Sequence, residues 1–228
     1  ARRARLPLAA IASGGKLIGL AKKYRVPYVQ MPDVRIQPRM ATGFMMRALL
    51  ALVGERTMFE EAGDLSRLLK PALLEAAGRK LARRLVGSVP VVYSSLRNGP
   101  IGETWKIKLN ETGKIPAFWN VVPELNHNEM TGFDAKPGTR ALSRRFHFVF
   151  LEDGADNPRI RRRMSVLKKL YEARGFLVSI AGLRGKTLPH KIFSSLVLAD
   201  WTAYYTAKMY GVEPEAVPMV EEFKKLIA

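Results

Sequence analysis

The sequence predicts an α/β protein in which helices flank a parallel sheet. Short apolar runs, typical of buried strands, alternate with longer segments whose apolar residues recur every three or four positions. Strands that are separated by helices favour parallel pairing, with both faces of the sheet covered. The 228 residues are enough to bury a sizeable core, so neither disulfides nor a structural metal are needed for folding.

The individual elements follow from these patterns in chain order. Asn157-Pro158 supplies an N-cap and a proline at the first helical position, and Gly175 follows the end of the same helix. The predicted strands are Leu8–Ala12, Pro27–Met31, Pro90–Tyr93, Ala117–Val122, Phe146–Leu151 and Phe176–Ile180, and the predicted helices are Leu17–Tyr24, Met40–Val53, Leu73–Leu85, Pro158–Ala173, Leu188–Tyr210 and Val217–Leu226.

The alternation changes near Gly87–Val89, which indicates two domains. Residues 87–228 contain a nearly complete series of strands and helices, whereas residues 1–86 contain only two strands. A two-stranded parallel sheet leaves much apolar surface uncovered. We therefore expect residues 1–86 to be the second half of one α/β domain.

The basic and apolar start resembles a signal peptide, but Ser13-Gly14-Gly15 and the helix pattern after it favour a strand, a turn and a helix.

Charge and composition restrict the possible functions. Lys and Arg total 38 against 20 Asp and Glu, and the net charge of +18 suggests an anionic partner: nucleic acid, a membrane surface or a phosphorylated ligand. The absence of cysteine excludes a thiol nucleophile, Cys-ligated zinc and a disulfide scaffold, and three histidines make a His-rich metal site improbable. No segment approaches the ~18 apolar residues of a membrane span, so we expect a cytoplasmic protein.

Three groups of motifs follow one another along the chain. The first group consists of Ile11-Ala-Ser-Gly-Gly-Lys16, Ala21-Lys-Lys-Tyr24 and Gln37-Pro-Arg-Met-Ala-Thr-Gly43. The second group consists of Leu109-Asn-Glu-Thr-Gly-Lys114 and Pro123-Glu-Leu-Asn-His-Asn-Glu129. The third group consists of Gly211-Val-Glu-Pro214 and Val220-Glu-Glu-Phe-Lys224. Together they resemble the prokaryotic bifunctional phosphoglucose/phosphomannose isomerases, which are built from two sugar-isomerase (SIS) domains. The resemblance implies an SIS-type, flavodoxin-like parallel sheet, with one complete domain plus a partial one.

The resemblance also implies an activity and its residues. It implies isomerisation of glucose 6-phosphate and fructose 6-phosphate, often also of mannose 6-phosphate, without metal or cofactor. Glu111, in the Asn-Glu-x-x-Lys motif, matches the family's catalytic glutamate. His127 matches its ring-opening histidine, and Lys224 matches a lysine of its last helix that also belongs to the site. Arg39 matches a substrate-binding arginine. In the family the histidine comes from the neighbouring subunit, which implies a homodimer.

These residue types suit the reaction. A single carboxylate over C1 and C2 can remove a proton from one carbon and return it to the other, through a cis-enediol; this is the role of Glu111. Ring opening suits a histidine that titrates near neutrality, His127. Arg39 can stabilise negative charge on the enediolate oxygens, and Lys224 can assist at the ring oxygen or hold a hydroxyl.

The sequence departs from the family pattern in three places. Thr112-Gly113 replaces the usual Asn-Ala, and Val217 stands where some members have a threonine linked to mannose activity. Valine lacks the hydroxyl, so we expect phosphomannose activity to be weaker than phosphoglucose activity. The family's phosphate-binding Ser-x-Ser-Gly-x-Thr loop lies upstream of the Ser-Gly-Gly turn and has no substitute here. Such a loop gathers N–H groups at a helix N-terminus. We therefore expect the isolated chain to isomerise sugar phosphates poorly.

Simpler interpretations remain for each of these residues. Glu111 and Lys224 are also compatible with solvated helix side chains, Arg39 with a first-turn residue and His127 with a loop residue. We expect His147 and His190 to be structural. Two other functions stay open: a non-catalytic SIS module that binds a phosphosugar and regulates a partner, and a basic nucleic-acid-binding protein.

The arginine cluster does not favour the nucleic-acid interpretation. Arg159 and Arg161–Arg163 lie on a predicted helix that has its own core-facing residues, Met164, Leu167 and Leu170. A solvated basic face is therefore the simpler interpretation, and no nucleic acid or membrane partner is expected. The expected ligand is a phosphorylated hexose.

Overall fold

The computed structural model describes residues 6–227, which form two compact units. One unit runs up to Leu68 and includes Thr187–Pro189; the other is formed by Leu69–Lys186 and the chain from His190 onward. The basic head of the signal-like segment, residues 1–5, lies outside the described part. None of the described helices combines the length and the apolar character needed to cross a membrane.

The first unit contains a small parallel sheet. Strands β1 (Ala10–Ala12) and β2 (Tyr28–Gln30) pair over three residues each and are joined by helix α1 (Gly15–Lys23). Gly15 starts this helix with φ of +70°, a conformation that glycine adopts without steric cost. The unit continues through α2 (Thr42–Val53), α3 (Arg56–Gly63) and α4 (Leu65–Leu68). That this unit is the second half of an SIS domain remains a prediction.

The second unit is a four-stranded parallel sheet in the order β4-β3-β5-β6, flanked by helices on both faces. This confirms the predicted α/β class. Its elements are α5 (Pro71–Leu85), β3 (Val89–Ser95), α6 (Gly99–Glu111), β4 (Phe118–Val122), α7 (Glu129–Gly132), α8 (Arg140–Ser143), β5 (Phe146–Asp153), α9 (Pro158–Ala173), β6 (Leu177–Leu183), α10 (Leu188–Met209) and α11 (Pro218–Leu226).

The sheet separates two apolar clusters. Successive residues of a strand point to opposite faces, so Val92 and Val149 belong to one cluster while Tyr93 and Phe148 belong to the other. The first cluster is completed by Leu81 and Leu85 of α5, Trp105 and Leu109 of α6, and Leu196, Ala199 and Ala203 of α10. The second is completed by Met164, Leu167 and Tyr171 of α9.

The boundary between the units lies earlier in the chain than the sequence indicated. The sequence placed it after residue 86, whereas the units divide between Leu68 and Leu69. The difference is helix α5, whose residues Leu81 and Leu85 are buried in the core of the second unit. Strand-and-helix counting could not show which sheet this helix covers.

Candidate active site

The Asn110–Lys114 motif lies at the end of helix α6. This helix follows β3 and precedes β4, its parallel neighbour, so it runs antiparallel to the strands. Gly99 therefore lies near the carboxyl ends of the strands, and Glu111, the last residue of the helix, near their amino ends. Glu111 is half-buried at this edge.

The other residues of the motif fix the end of the helix. The Asn110 side-chain amide donates to the carbonyl oxygens of Ile115 (3.0 Å) and Ala117 (3.5 Å), just before β4 begins. At position 113 a Cβ atom would lie 2.6 Å from the carbonyl oxygen of Leu109, so only glycine fits without a shift. The departure Thr112-Gly113 therefore belongs to a tightly packed helix terminus that holds the backbone of Glu111.

Lys114 connects the motif to the segment before the last helix. Its Nζ donates to the carbonyl oxygen of Glu111 (2.5 Å) and to that of Ala216. Helix α11 begins at Pro218, two residues beyond Ala216, and carries Lys224. The Lys224 side chain is exposed and forms an ion pair of 2.8 Å with Glu221. The structure thus joins the glutamate motif to the base of the Lys224 helix.

Three residues before Glu111, an ion pair of a buried lysine anchors helix α6. Lys108 Nζ lies 2.5 Å from Asp200 Oδ1 of helix α10, and only 4% of the lysine side chain is exposed. Because a buried ammonium is costly without a partner, this pair fixes α6 against α10. It therefore supports the position of Glu111.

His127 lies at the other edge of the sheet. It follows the carboxyl end of β4 and a single 3₁₀ turn, Glu124–Asn126, and it is exposed. Its backbone N–H donates to the carbonyl oxygen of Glu124 at 2.9 Å. Within the second unit, then, the two predicted residues lie at opposite ends of the strands. Glu111 is near their amino ends, and His127 is near their carboxyl ends.

Arg39 belongs to the first unit. It is the middle residue of a 3₁₀ turn, Pro38–Met40, and is half-buried. Its carbonyl oxygen accepts a hydrogen bond of 3.4 Å from the Thr42 hydroxyl at the start of α2. The turn begins with proline, as the predicted first-turn position suggested.

A polar cluster that the sequence interpretation did not identify fills the carboxyl edge of the sheet. Asn98 Nδ2 donates to Ser95 Oγ (3.0 Å) and to Asp156 Oδ1 (3.2 Å), and Ser95 Oγ donates to Asp156 Oδ1 (2.9 Å). Lys191 Nζ forms an ion pair of 2.8 Å with Asp153, whose side chain is 2% exposed. Burial alone would raise the pKa of Asp153, but hydrogen bonds from Lys191, the Ala155 N–H and Asn98 bring it below its usual value.

Ligands of open α/β sheets commonly bind at this edge. Here it contains two carboxylates that are bonded to their own partners, which does not suit a phosphate group. Polar residues directly after the apolar runs of β3 and β5 were the sequence signal for the cluster.

Two histidines have the structural role that the sequence suggested. His147 is fully buried; its ring nitrogens lie 3.1 Å from the carbonyl oxygen of Arg84 and 2.8 Å from Ser179 Oγ. Burial, together with the positive charge of Arg84, lowers its pKa to about 4. His190 Nδ1 accepts a hydrogen bond of 3.0 Å from the Lys186 N–H.

Among residues 6–227, no three His, Asp or Glu side chains are grouped so as to hold a metal ion.

Known proteins with similar sequences and folds agree with this architecture. A bifunctional phosphoglucose/phosphomannose isomerase of Aquifex aeolicus is 32% identical over 94% of this chain and 66% of its own length. A protein of the same name from Caldicellulosiruptor bescii is 30% identical over 96% of this chain and 68% of its own length. The chain thus spans about two thirds of these relatives.

A solved structure of a glucose-6-phosphate isomerase-like protein from Thermus thermophilus shares the fold, with a TM-score of 0.63 over 95% of this chain and 77% of that one, at 18% identity. The family model for the bacterial phospho-glucose isomerase C-terminal SIS domain matches residues 75–227, all of which except Thr187–Pro189 belong to the second unit. The chain belongs to this SIS-domain family of bacterial phosphoglucose isomerases.

Proposed function

We propose that the chain carries the proton-transfer residues of a sugar-phosphate aldose–ketose isomerase that interconverts glucose 6-phosphate and fructose 6-phosphate through a cis-enediol. The observation that carries this proposal is the Asn110–Lys114 motif, with Glu111 at a helix end whose backbone is fixed on both sides. Family membership and the relatives' names support the same reaction.

In the proposed mechanism, His127 moves the proton that opens the sugar ring. Glu111 then removes the proton from C2 of the aldose and returns it to C1. Arg39 holds the developing enediolate charge, and Lys224 contacts the ring oxygen or a hydroxyl. Binding of the distant phosphate helps to position the reacting carbons. We assign the phosphate to groups other than the carboxyl-edge cluster, because two carboxylates are buried there.

The proposal includes a homodimer. Glu111 and His127 lie at opposite edges of the sheet, so one chain does not present both to the same hexose. A second copy that brings its His127 to the Glu111 edge completes the site, and each dimer then contains two composite sites. We also propose a cytoplasmic location for the enzyme.

A coupled assay with fructose 6-phosphate tests this function. The assay is run on the 228-residue chain, on the full-length protein that its coding sequence specifies, and on the Glu111→Gln variant of each. We expect isomerisation by the full-length protein, poor turnover by the chain alone, and loss of about three orders of magnitude in kcat for Glu111→Gln. Full activity of Glu111→Gln would contradict the mechanism. Mannose 6-phosphate serves as a second substrate, and its slower turnover is expected from Val217.

A further inference from the structure

We propose that Glu129 is the positioning residue for His127, because it fastens the histidine-bearing turn to two strands of the sheet; this inference rests on the proposed function. Glu129 lies two residues beyond His127 and is half-buried at the start of α7. Each of its carboxylate oxygens accepts a hydrogen bond from a different strand. The phenol of Tyr93 on β3 donates to Oε1, and the side-chain amide of Asn120 on β4 donates to Oε2.

The two donors are positioned by the register of the sheet. Tyr93 and Asn120 are directly paired on neighbouring parallel strands, so their side chains point to the same face. Tyr93 is completely buried in an aromatic cluster, with its ring centroid 5.4 Å from that of Phe148. A buried hydroxyl requires an acceptor, and Glu129 provides one. The anchor point is therefore part of the rigid core.

The donors keep their protons. Burial raises the pKa of Tyr93 far above its ordinary value, and nearby Tyr171 and Glu129 act in the same direction. The hydroxyl of Tyr171 lies 3.4 Å from that of Tyr93, and burial also raises the pKa of Tyr171, to about 12. Hydrogen bonds to an ionised carboxylate are stronger than those between neutral groups. The Glu129 carboxylate thus has two permanent donors over the neutral pH range.

The turn between β4 and Glu129 is closed by its own hydrogen bonds. The Glu129 N–H donates to Asn128 Oδ1 (2.5 Å), and Asn128 Nδ2 donates to Glu124 Oε1 (2.8 Å). His127 thus lies on a short closed turn whose first end continues from β4 and whose second end is held by Glu129. Met130 and Phe133 pack against the apolar cluster just beyond Glu129, so loss of the Glu129 carboxylate removes the hydrogen-bonded part of this second attachment.

The test compares Glu129→Ala, Glu129→Gln and Tyr93→Phe in the full-length protein, with Glu103→Ala as a control at an exposed glutamate of α6. One readout is the pair kcat and KM for fructose 6-phosphate. The other is amide hydrogen exchange of residues 124–129, which needs no substrate. If the wild type fails to isomerise the sugar, the proposed function fails, while the exchange data still decide whether Glu129 anchors the turn.

We expect Glu129→Ala to lower kcat by about tenfold or more with KM within about twofold, because a displaced proton-transfer group affects the chemical step. Exchange of residues 124–129 should accelerate by at least about tenfold. Glu129→Gln should keep kcat within about threefold of wild type, since its amide can accept from Asn120 and donate to the Tyr93 oxygen. Tyr93→Phe, which keeps the ring, should give an intermediate effect even if Glu129→Ala does not fold.

Three results would overturn the inference. One is a Glu129→Ala variant whose kcat, and whose amide hydrogen exchange at residues 124–129, equal those of the wild type. Another is a Glu129→Gln variant as impaired as Glu129→Ala, since the charge itself would then matter rather than the anchor. The third is an equal loss of kcat in Glu103→Ala.

Discussion

Glu111 and His127 lie at opposite ends of strand β4. Glu111 precedes the strand, which begins at Phe118, and His127 follows it, since the strand ends at Val122. The five extended residues of the strand span roughly 15 Å. The two residues therefore lie at opposite ends of the strands, which favours their use in different sites. In the proposed enzyme, each site therefore draws these two residues from different subunits.

Subunit mixing tests this arrangement. We expect Glu111→Gln and His127→Ala to be nearly inactive separately. When the two are co-refolded, half of the dimers are mixed and each mixed dimer contains one intact site, so activity should return to about a quarter of wild type. The double variant Glu111→Gln/His127→Ala, mixed with wild type, is the matched control: its mixed dimers contain no intact site. Absence of any recovery in the first mixture would refute the shared site.

Gly113 is expected to be essential for the position of Glu111. A Cβ at this position would lie 2.6 Å from the Leu109 carbonyl oxygen, so Gly113→Ala must displace the end of helix α6. We expect a loss of about 1–3 kcal/mol in the free energy of unfolding, measured with urea, and a lower kcat. Gly138→Ala is the control, because its Cβ would meet nothing within 4 Å. Equal effects of both substitutions would show that the contact does not matter.

The ion pair between Lys108 and Asp200 should behave as a coupled unit. Asp200→Asn leaves a lysine whose side chain is only 4% exposed without its carboxylate, and we expect a loss of about 3 kcal/mol in unfolding free energy. Lys108→Met costs less, because Asp200 is 25% exposed and remains partly hydrated. A double-mutant cycle with Lys108→Met/Asp200→Asn should give a coupling of about 1 kcal/mol or more. Strict additivity would show that the pair does not couple α6 to α10.

The sequence predicted the strand cores well and their ends poorly, for a physical reason. The apolar runs locate Val91–Tyr93 and Phe148–Leu151 because burial requires apolar side chains there. Ser95 and Asp153 extend the same strands although they are polar, because hydrogen bonds with residues distant in the chain satisfy them.

The candidate site shows the same limit. Its motifs identified Glu111 and His127 as candidates, but not which edge of the sheet each occupies. The contacts of Glu129 with Tyr93 and of Lys108 with Asp200 join residues far apart in the chain. No local pattern of residue types encodes such pairs. The Asn-His-Asn-Glu motif was the available signal that Glu129 belongs with the histidine.

His147 should make the fold sensitive to acid. Its pKa is about 4 in the folded chain, because burial and the charge of Arg84 disfavour the protonated ring, whereas in the unfolded chain it returns to about 6.5. The unfolded state therefore binds a proton first as the pH falls. This contribution to stability is fully present above pH ~6.5 and is lost progressively between pH ~6.5 and pH ~4, by up to about 1 kcal/mol per pH unit.

Urea unfolding of the wild type and of His147→Asn across this range measures the difference. The variant should be less stable at neutral pH, because it loses the fitted contacts with Arg84 and Ser179, yet its stability should fall less steeply with acid. Parallel pH profiles of the two proteins would show that His147 does not carry the acid sensitivity.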